Sequence, residues 1–301
     1  MTTYVKKTKE EKVKQSIRLL MEVVEKMDKE TYKKYLESVS VGFPHSYSIS
    51  NTFAIVAQFY AKTGEFPSVV GGAKSFWATV GRRVKREEYG KHGLWILIPI
   101  FKNFTTKEKD AKGNDVEKRV KYIVDFRYGK VYDLSQTEGK PYEPKVAKRV
   151  SEDTFNIDIE DLISFINKKN IGVSIERKED ILSRGGYVTP TGYTCLNSAR
   201  GDSDNKSTLF HELAHWFMGH TKQECRLSRN QKEVDAETTA FCLGQKYGVR
   251  AASEEYVWGW GEGTNAKPNF EAIFKAFNAI DRLLVEYLGV EEKESAEENV
   301  A

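Results

Sequence analysis

The sequence FHELAHWFMGH, from Phe210 to His220, governs the interpretation of the second half of the chain. It contains no proline, and apolar residues frame an HExxH pattern, which predicts a buried helix. Because His211 and His215 are four residues apart, they share one helix face and can bind one metal ion. Glu212 lies about 100° around the helix from His211. It can therefore take a proton from a water beside the ion without being a ligand.

Ordinary helices also contain HExxH by chance, since the pattern fixes only three positions in five. Two observations favour a metal site here. Three of the five histidines of the chain fall within this stretch. The neighbouring residues are apolar, and buried polar side chains are costly unless they have partners. The pattern therefore predicts one Zn²⁺ per chain, with Mn²⁺ or another divalent ion as alternatives.

A catalytic zinc ion usually has three protein ligands, so a third residue is required. His220 is one candidate, but the metzincin spacing would need glycine at Met218 and histidine at Thr221. The other candidate is the stretch 232–241, which is predicted to be a helix with Glu233 and Glu237 on one face. Two glutamates spaced in this way ordinarily mark a solvent-exposed face, and here they follow an HExxH pattern.

This acidic stretch resembles the second motif of the gluzincins, in which the first acid binds zinc and the last one orients a ligand histidine. The resemblance implies that Glu233, 18 residues after His215, is the third metal ligand. It also implies that Glu237 orients a ligand histidine, at a position where the family more often has Asp or Asn.

The whole chain has 301 residues, 40% of them apolar, which is enough for two domains with packed cores. It contains no apolar run of 18 residues, and its charged N-terminus lacks the apolar segment of a signal peptide. The three cysteines, Cys195, Cys225 and Cys242, form no CxxC pair. We therefore expect a cytoplasmic protein with free thiols and no membrane partner.

Charge is distributed unevenly along the chain. Residues 1–150 carry 30 Lys and Arg against 18 Asp and Glu, whereas the remaining residues carry 17 against 26. A basic first half attracts phosphate backbones, although a lysine-rich surface can also serve solubility alone. Aromatic and basic residues interleave between Tyr47 and His92, a mixture typical of single-stranded nucleic-acid binding. Within it, Trp77 is equally compatible with a core position and a DNA contact, while Arg82, Arg83, Lys85 and Arg86 are predicted to contact phosphates.

Several motifs resemble ArdC-type antirestriction proteins over about residues 10–250. These are Asn51 in a predicted helix, Trp77, the stretch 81–85 (GRRVK), the stretch 136–139 (QTEG), HELAHW followed by GH, and the later EVDAE. Residues 42–48 (GFPHSYS) depart from the Trp-containing, Pro-rich start that is frequent in the family. The resemblance implies a first domain that binds single-stranded DNA, a zincin-like metallopeptidase second domain, and protection of incoming mobile DNA from restriction. The residues then expected to contact DNA are Asn51, Trp77, Arg82, Arg83, Lys85, Arg86 and Lys91.

The predicted fold is α+β with two domains: residues 1–145 bind single-stranded DNA, residues 146–290 form the zincin-like domain, and 291–301 is an acidic disordered tail. Predicted strands cover 94–101, 122–128 and 131–134 in the first domain, with a polar hairpin tip at 107–118. In the second domain, 185–196 is predicted to be a hairpin. By the resemblance to zincins, its strand 193–196 would be the sheet edge on which a substrate backbone pairs.

The predicted activity is peptide hydrolysis, with His211, His215 and Glu233 as metal ligands and Glu212 as general base. Tyr187, Tyr193, His220 and Tyr247 remain open as donors to the oxyanion. Two other interpretations stay open: a non-enzymatic DNA-binding protein with a structural metal ion, and a DNA-tethered protease that acts on DNA-bound proteins or a repressor. The protein substrate is not specified by the sequence.

Overall fold

The computed structural model describes residues 7–41, 47–109, 115–143, 153–179, 181, 185–250 and 266–289. Residues 110–114 within the predicted hairpin tip, residues 144–152 around the predicted domain boundary, the stretch 251–265 and the predicted tail at 291–301 lie outside these residues. The protein is a mixed α+β structure, as predicted. Its described residues form two compact units: unit 1 contains 7–24, 47–109 and 115–143, and unit 2 contains 25–41 and the described residues from 153 onward.

Two helices occupy the amphipathic region near the N-terminus, α1 (Lys9–Val24) and α2 (Lys29–Val41). They are separated by a short break near Asp28, whose side chain accepts a hydrogen bond from the Thr31 backbone. Although the two helices are neighbours in sequence, α1 belongs to unit 1 and α2 to unit 2. The predicted boundary near residue 145 placed both helices in the first domain, whereas the structure assigns α2 to unit 2.

Unit 1 consists of α1, α3 (Ile49–Thr63), a π-helical turn (Ala73–Trp77) and five strands. The strands are β1 (Val70–Gly72), β2 (Arg82–Val84), β3 (Leu94–Lys109), β4 (Asp115–Asp133) and β5 (Thr137–Gly139). They form a β1-β4-β3 sheet and a separate β2-β5 pair. In β3, alternate residues Leu94, Ile96 and Ile98 point into a core that includes Ile55 and Val70.

The prediction of separate strands at 122–128 and 131–134 was wrong, because residues 122–133 are continuous within β4 and Leu134 begins a 3-10 turn. Gly129 between them pairs with Ile96 in the ladder. A Cβ at Gly129 would lie 2.3 Å from Cδ1 of Ile98, so the glycine leaves room for that core side chain. It therefore marks close packing against the core and not a break in the strand.

Unit 2 contains α2, a three-stranded sheet and four further helices, α4 (Ile159–Lys168), α5 (Asp202–Phe217), α6 (Arg229–Tyr247) and α7 (Phe270–Tyr287). The strands are β6 (Ser174–Lys178), β7 (Gly186–Val188) and β8 (Tyr193–Asn197), in the order β6-β8-β7. Helix α5 packs against α6, α7 and β7, and its apolar residues Leu209, Phe210 and Leu213 are buried.

The expectation that the strand at 193–196 is a sheet edge was wrong. This strand is β8, which pairs in parallel with β6 on one side and antiparallel with β7 on the other. Cys195 on β8 is a free thiol, and it is fully buried. Among the described strands, β7 is the edge strand next to α5. No helix in the described part of the chain is both long and apolar enough to cross a membrane.

Candidate metal centre

The candidate metal centre lies where the C-terminal half of α5 packs against the N-terminal half of α6. Helix α6 begins after Ser228, whose hydroxyl caps it by accepting a hydrogen bond from the Gln231 backbone. Glu233 and Glu237 then lie one turn apart on the face that meets His211 and His215 of α5. The i, i+4 spacing on each helix thus brings two imidazoles and two carboxylates together.

Three donor atoms converge at this centre, namely His211 Nε2, His215 Nε2 and Glu233 Oε2. The two imidazole nitrogens are 2.9 Å apart, and Glu233 Oε2 lies 3.4 Å from the His211 nitrogen and 3.6 Å from the His215 nitrogen. A tetrahedral ion with bonds of about 2.0–2.1 Å separates its ligand atoms by roughly 3.3–3.4 Å. The triangle formed by these atoms therefore fits one divalent ion.

The charges around the three donors also favour a cation. Burial lowers the pKa of His211, but its contacts with Glu233 and Glu237 outweigh that effect and raise the pKa well above its ordinary value. Burial raises the pKa of Glu233. Contacts with His211 and His215 lower it by a larger amount, so the pKa lies below its ordinary value. The centre therefore stabilises positive charge next to its carboxylates, which a metal ion bound to deprotonated ligands would supply.

Glu212 is buried beside the two histidines but does not belong to the converging donor set. Burial raises the pKa of its carboxyl group, and the nearby imidazoles of His211 and His215 oppose this effect. Glu212 is thus close enough to the two histidines for their charge to act on it, and it is not one of the three converging donors. Its role as general base stays a prediction.

Glu237 lies behind the donor set, with its Oε1 atom 3.1 Å from Nδ1 of His211. If Nε2 of His211 binds an ion, Nδ1 carries the proton; the Glu237 carboxylate is within ion-pair distance of Nδ1, although the two atoms are not aligned as a hydrogen bond in this structure. Asp235 occupies the opposite side of α6 and is fully buried. Its Oδ1 atom accepts hydrogen bonds from the Asn269 backbone and the Gln231 side chain, so it fixes the start of α7 instead of contributing to the centre.

The sequence left His220 open as a third metal ligand or as a donor to the oxyanion. His220 is 3% exposed, and its Nδ1 atom lies 3.0 Å from Nδ1 of His215, on the side away from the converging donors. Burial, followed by the charge of His215, lowers the pKa of His220 to about 4. His220 is therefore not a member of the donor set, and it contacts one of its members.

Two of the residues expected to contact DNA lie in the core of unit 1, so those expectations are corrected. Trp77 is fully buried, and its indole nitrogen donates to the Tyr132 carbonyl at 3.0 Å. Asn51 is 2% exposed, and its amide pairs with both the N–H and the C=O of Leu97. Gln58, two turns later on α3, pairs in the same way with Trp95. Both side-chain amides therefore supply hydrogen-bond partners to the N–H and C=O groups on the edge of β3 that faces away from β4.

Three of the expected basic residues are engaged by the β2-β5 pair. The guanidinium of Arg82 donates to the hydroxyl and carbonyl of Thr137, Arg83 forms an ion pair with Glu138, and Lys85 donates to the Ser135 carbonyl. Because β2 and β5 pair antiparallel, the QTEG stretch is the hydrogen-bonding partner of the GRRVK stretch. Arg86 and Lys91 are exposed in the loop that follows β2.

An aromatic and basic surface next to this loop was not included in the predicted DNA-contacting set. We call it the Trp95 surface; it consists of Tyr89, Trp95, Tyr128 and Lys130. Lys130 Nζ lies 4.3 Å from the Trp95 ring centre and donates to the Gly90 carbonyl beside Tyr89, while Tyr128 meets Trp95 edge-on at 6.0 Å. All three rings are more than 40% exposed. The sequence carries no signal for this surface, because residues 94–98 are apolar throughout; in the structure Trp95 faces away from its buried neighbours Leu94 and Ile96.

Two solved structures are similar to almost the whole chain. They are crystal structures of the antirestriction protein ArdC from plasmid R388, one metal-free and one with Mn(II) bound. The metal-free structure is 19% identical with a TM-score of 0.46, and covers 91% of this chain and 99% of its own. The Mn(II)-bound structure is 17% identical with a TM-score of 0.47, and covers 92% and 99%. No family model matches the chain, and no curated protein sequence matches it. ArdC is the family that the sequence motifs resemble.

Proposed function

We propose that unit 2 is a zinc-dependent peptidase with a zincin-like arrangement of ligands. The observation that carries this proposal is the convergence of His211 Nε2, His215 Nε2 and Glu233 Oε2 beside a buried carboxylate, Glu212, that is not a ligand. Two imidazoles and one carboxylate are a known ligand set of catalytic zinc ions, and they leave a fourth position open. When bound, the ion lowers the pKa of a water and polarises a carbonyl group.

Each side chain then has a separate task in hydrolysis. Glu212 accepts a proton from the attacking water and passes it to the leaving amine. Glu237 accepts a hydrogen bond from Nδ1–H of His211, which keeps the lone pair of Nε2 directed at the ion position. With neutral histidines the three donors would carry a net charge of −1, so His211, His215 and Glu233 holding a divalent ion would leave a net positive charge beside a developing oxyanion.

An extended peptide is the substrate class that this sheet fits best. Strands β6 and β7 are the two edges of this sheet, and β7 is the edge strand that lies against α5, since a Cβ at Gly186 would come within 2.7 Å of Thr208 Cγ2. A substrate backbone can pair with such an edge in the manner of an added strand. The edge required for substrate pairing is therefore assigned to β7, in place of the strand expected from the sequence.

The test is the variant Glu212→Gln, which removes the base and keeps the shape of the side chain. We expect zinc content to remain near one ion per chain, while cleavage of a denatured test protein falls by about 10²–10⁴-fold. Glu224→Gln is a matched control, because Glu224 is exposed and lies in the same unit. Full cleavage by Glu212→Gln would refute the proposed role. Wild-type protein that holds zinc but cleaves no substrate would support the alternative of a structural metal ion.

We also propose that unit 1 binds single-stranded DNA through the Trp95 surface. Exposed aromatic rings stack on bases, and cations next to them track the phosphates. Trp95, Tyr89 and Tyr128 provide the rings, and Lys130 lies over the Trp95 ring and donates to the Gly90 carbonyl. Arg86 and Lys91 add exposed positive charge on the adjacent loop. This proposal replaces the buried residues Asn51 and Trp77 of the sequence interpretation with exposed ones.

The biological role that we propose is protection of mobile DNA from restriction, and its support is the resemblance of the sequence motifs to ArdC-type proteins. Two outcomes with Glu212→Gln distinguish the versions of this role. Loss of protection would indicate that proteolysis is required, whereas retained protection would indicate that DNA occupancy is sufficient. Stimulation of cleavage by single-stranded DNA would favour a DNA-tethered protease.

A further inference from the structure

The C-terminal end of α5 forms a Schellman motif, and this motif determines where His220 lies. Gly219 has φ +69°, the left-handed conformation that glycine adopts most readily. Its N–H donates to the Trp216 carbonyl at 2.9 Å, and the N–H of His220 donates to the His215 carbonyl at 2.9 Å. These are the two hydrogen bonds that define the motif.

In a Schellman motif, the residue after the left-handed glycine packs against the residue five positions before it, usually through an apolar contact. Here those two residues are His220 and His215, and the contact is polar. Their Nδ1 atoms are 3.0 Å apart, and their rings meet at an interplanar angle of 66°. The backbone geometry of the helix end thus places the imidazole of His220 against Nδ1 of His215, the ring nitrogen that does not face the proposed ion.

The positions of the protons follow from this contact. If Nε2 of His215 is to bind an ion, its lone pair must be free, so its proton must lie on Nδ1. That N–H can donate only to an acceptor, so Nδ1 of His220 must be unprotonated. His220 then carries its own proton on Nε2. We propose that His220 is a positioning residue that holds His215 in the tautomer and orientation required for metal binding.

Two further contacts support a dedicated position for His220. The carbonyl of His220 accepts a hydrogen bond from Lys232 Nζ at 2.7 Å, which fixes this turn to α6 directly before Glu233. The Nε2 atom of His220 is buried and has no hydrogen-bond partner among the described residues. An apolar side chain would avoid this cost and would suit the usual Schellman contact. Packing alone therefore does not explain a histidine here.

The proposal rests on the metal centre described above, and its test measures metal affinity without requiring peptidase activity. Zinc affinity is determined by competition with a chromophoric chelator for the wild type, His220→Leu and His220→Asn. Leucine fills the space without an acceptor, whereas asparagine places Oδ1 at the position of the lost Nδ1. We expect His220→Leu to bind zinc about 10–100-fold more weakly. We expect His220→Asn to lose less than about 10-fold, because the acceptor is retained.

The thermal midpoints of the metal-stripped proteins distinguish a positioning role from a packing role. His92 is an exposed histidine in unit 1, so His92→Leu is the control for a His→Leu change. We expect His220→Leu to unfold near the wild-type temperature without metal and to show its defect only in zinc affinity. Equal affinity of His220→Leu and wild type would overturn the proposal, as would equal losses in the Leu and Asn variants. If the wild type itself binds no zinc, the metal centre is wrong and this inference falls with it. If the wild type binds zinc but cleaves nothing, the inference can still be judged from the affinities.

Discussion

Replacing Trp95 with alanine tests whether the Trp95 surface binds single-stranded DNA. The Trp95 ring is 48% exposed, and its described contacts are the edge of Tyr128 and the cation of Lys130. Stacking of a base on such a ring contributes about 1–3 kcal/mol. We therefore expect the dissociation constant for single-stranded DNA to rise about 5- to 100-fold.

The same substitution has a modest cost for folding. About half of the indole is buried, roughly 100 Å² of apolar area, which corresponds to about 2–3 kcal/mol at ~25 cal/mol per Å². The Gln58 side chain forms hydrogen bonds with the backbone N–H and C=O of residue 95, so the strand keeps its position when the indole of Trp95 is removed. With a domain stability of about 5–15 kcal/mol, unit 1 is expected to remain folded.

The assay is fluorescence anisotropy with a labelled oligothymidylate at several salt concentrations, and Trp77→Phe is the matched control. Trp77 is fully buried and loses its hydrogen bond to Tyr132 in that variant, so stability falls by about 1–3 kcal/mol. We expect its DNA affinity to stay at the wild-type value. Replacing the exposed Lys91 with alanine should reduce the salt slope by about 0.7 if that residue contacts one phosphate. Wild-type affinity in Trp95→Ala together with weakened binding in Trp77→Phe would refute the assignment.

Two further predictions concern unit 2. Glu237→Ala removes the carboxylate 3.1 Å from His211 Nδ1, and we expect zinc affinity to fall about 10–100-fold in a chelator competition, whereas an unchanged affinity would exclude a role for Glu237 in orienting His211. Gly192→Ala places a Cβ at φ +85°, 1.9 Å from the Gly172 carbonyl oxygen, and we expect the free energy of unfolding in urea to fall by at least about 1–2 kcal/mol. An unchanged urea midpoint would show that the turn before β8 can move without cost.

Local patterns in the sequence were sufficient wherever the relevant interaction is short-range. The i, i+4 spacing places His211 with His215 on α5, and Glu233 with Glu237 on α6, whatever surrounds the two helices. The Schellman motif at Gly219 is equally local, so the position of His220 could have been derived from the glycine and its distance from His215.

Long-range pairing decided the features that the sequence interpretation missed. The stretch from Leu94 to Ile98 is continuously apolar, so only the register of β3 against β4 and α3 shows that Trp95 faces outward. In the same way, β8 is central because β6, which lies earlier in the chain, pairs with its far side. Asn51 has a polar side chain, but its burial depends on the free edge of β3, more than 40 residues away.

The sequence by itself determined which residues are candidates for the metal centre, because helical periodicity fixes the faces of α5 and α6 within a few residues. Only the tertiary structure decided the distances between Glu233 and the two imidazoles, which strand forms the edge beside α5, and which aromatic residues of unit 1 meet solvent. The physical reason is that burial and strand order depend on contacts between segments far apart in the chain. Neighbouring residues constrain the backbone, but they do not specify which distant segment covers them.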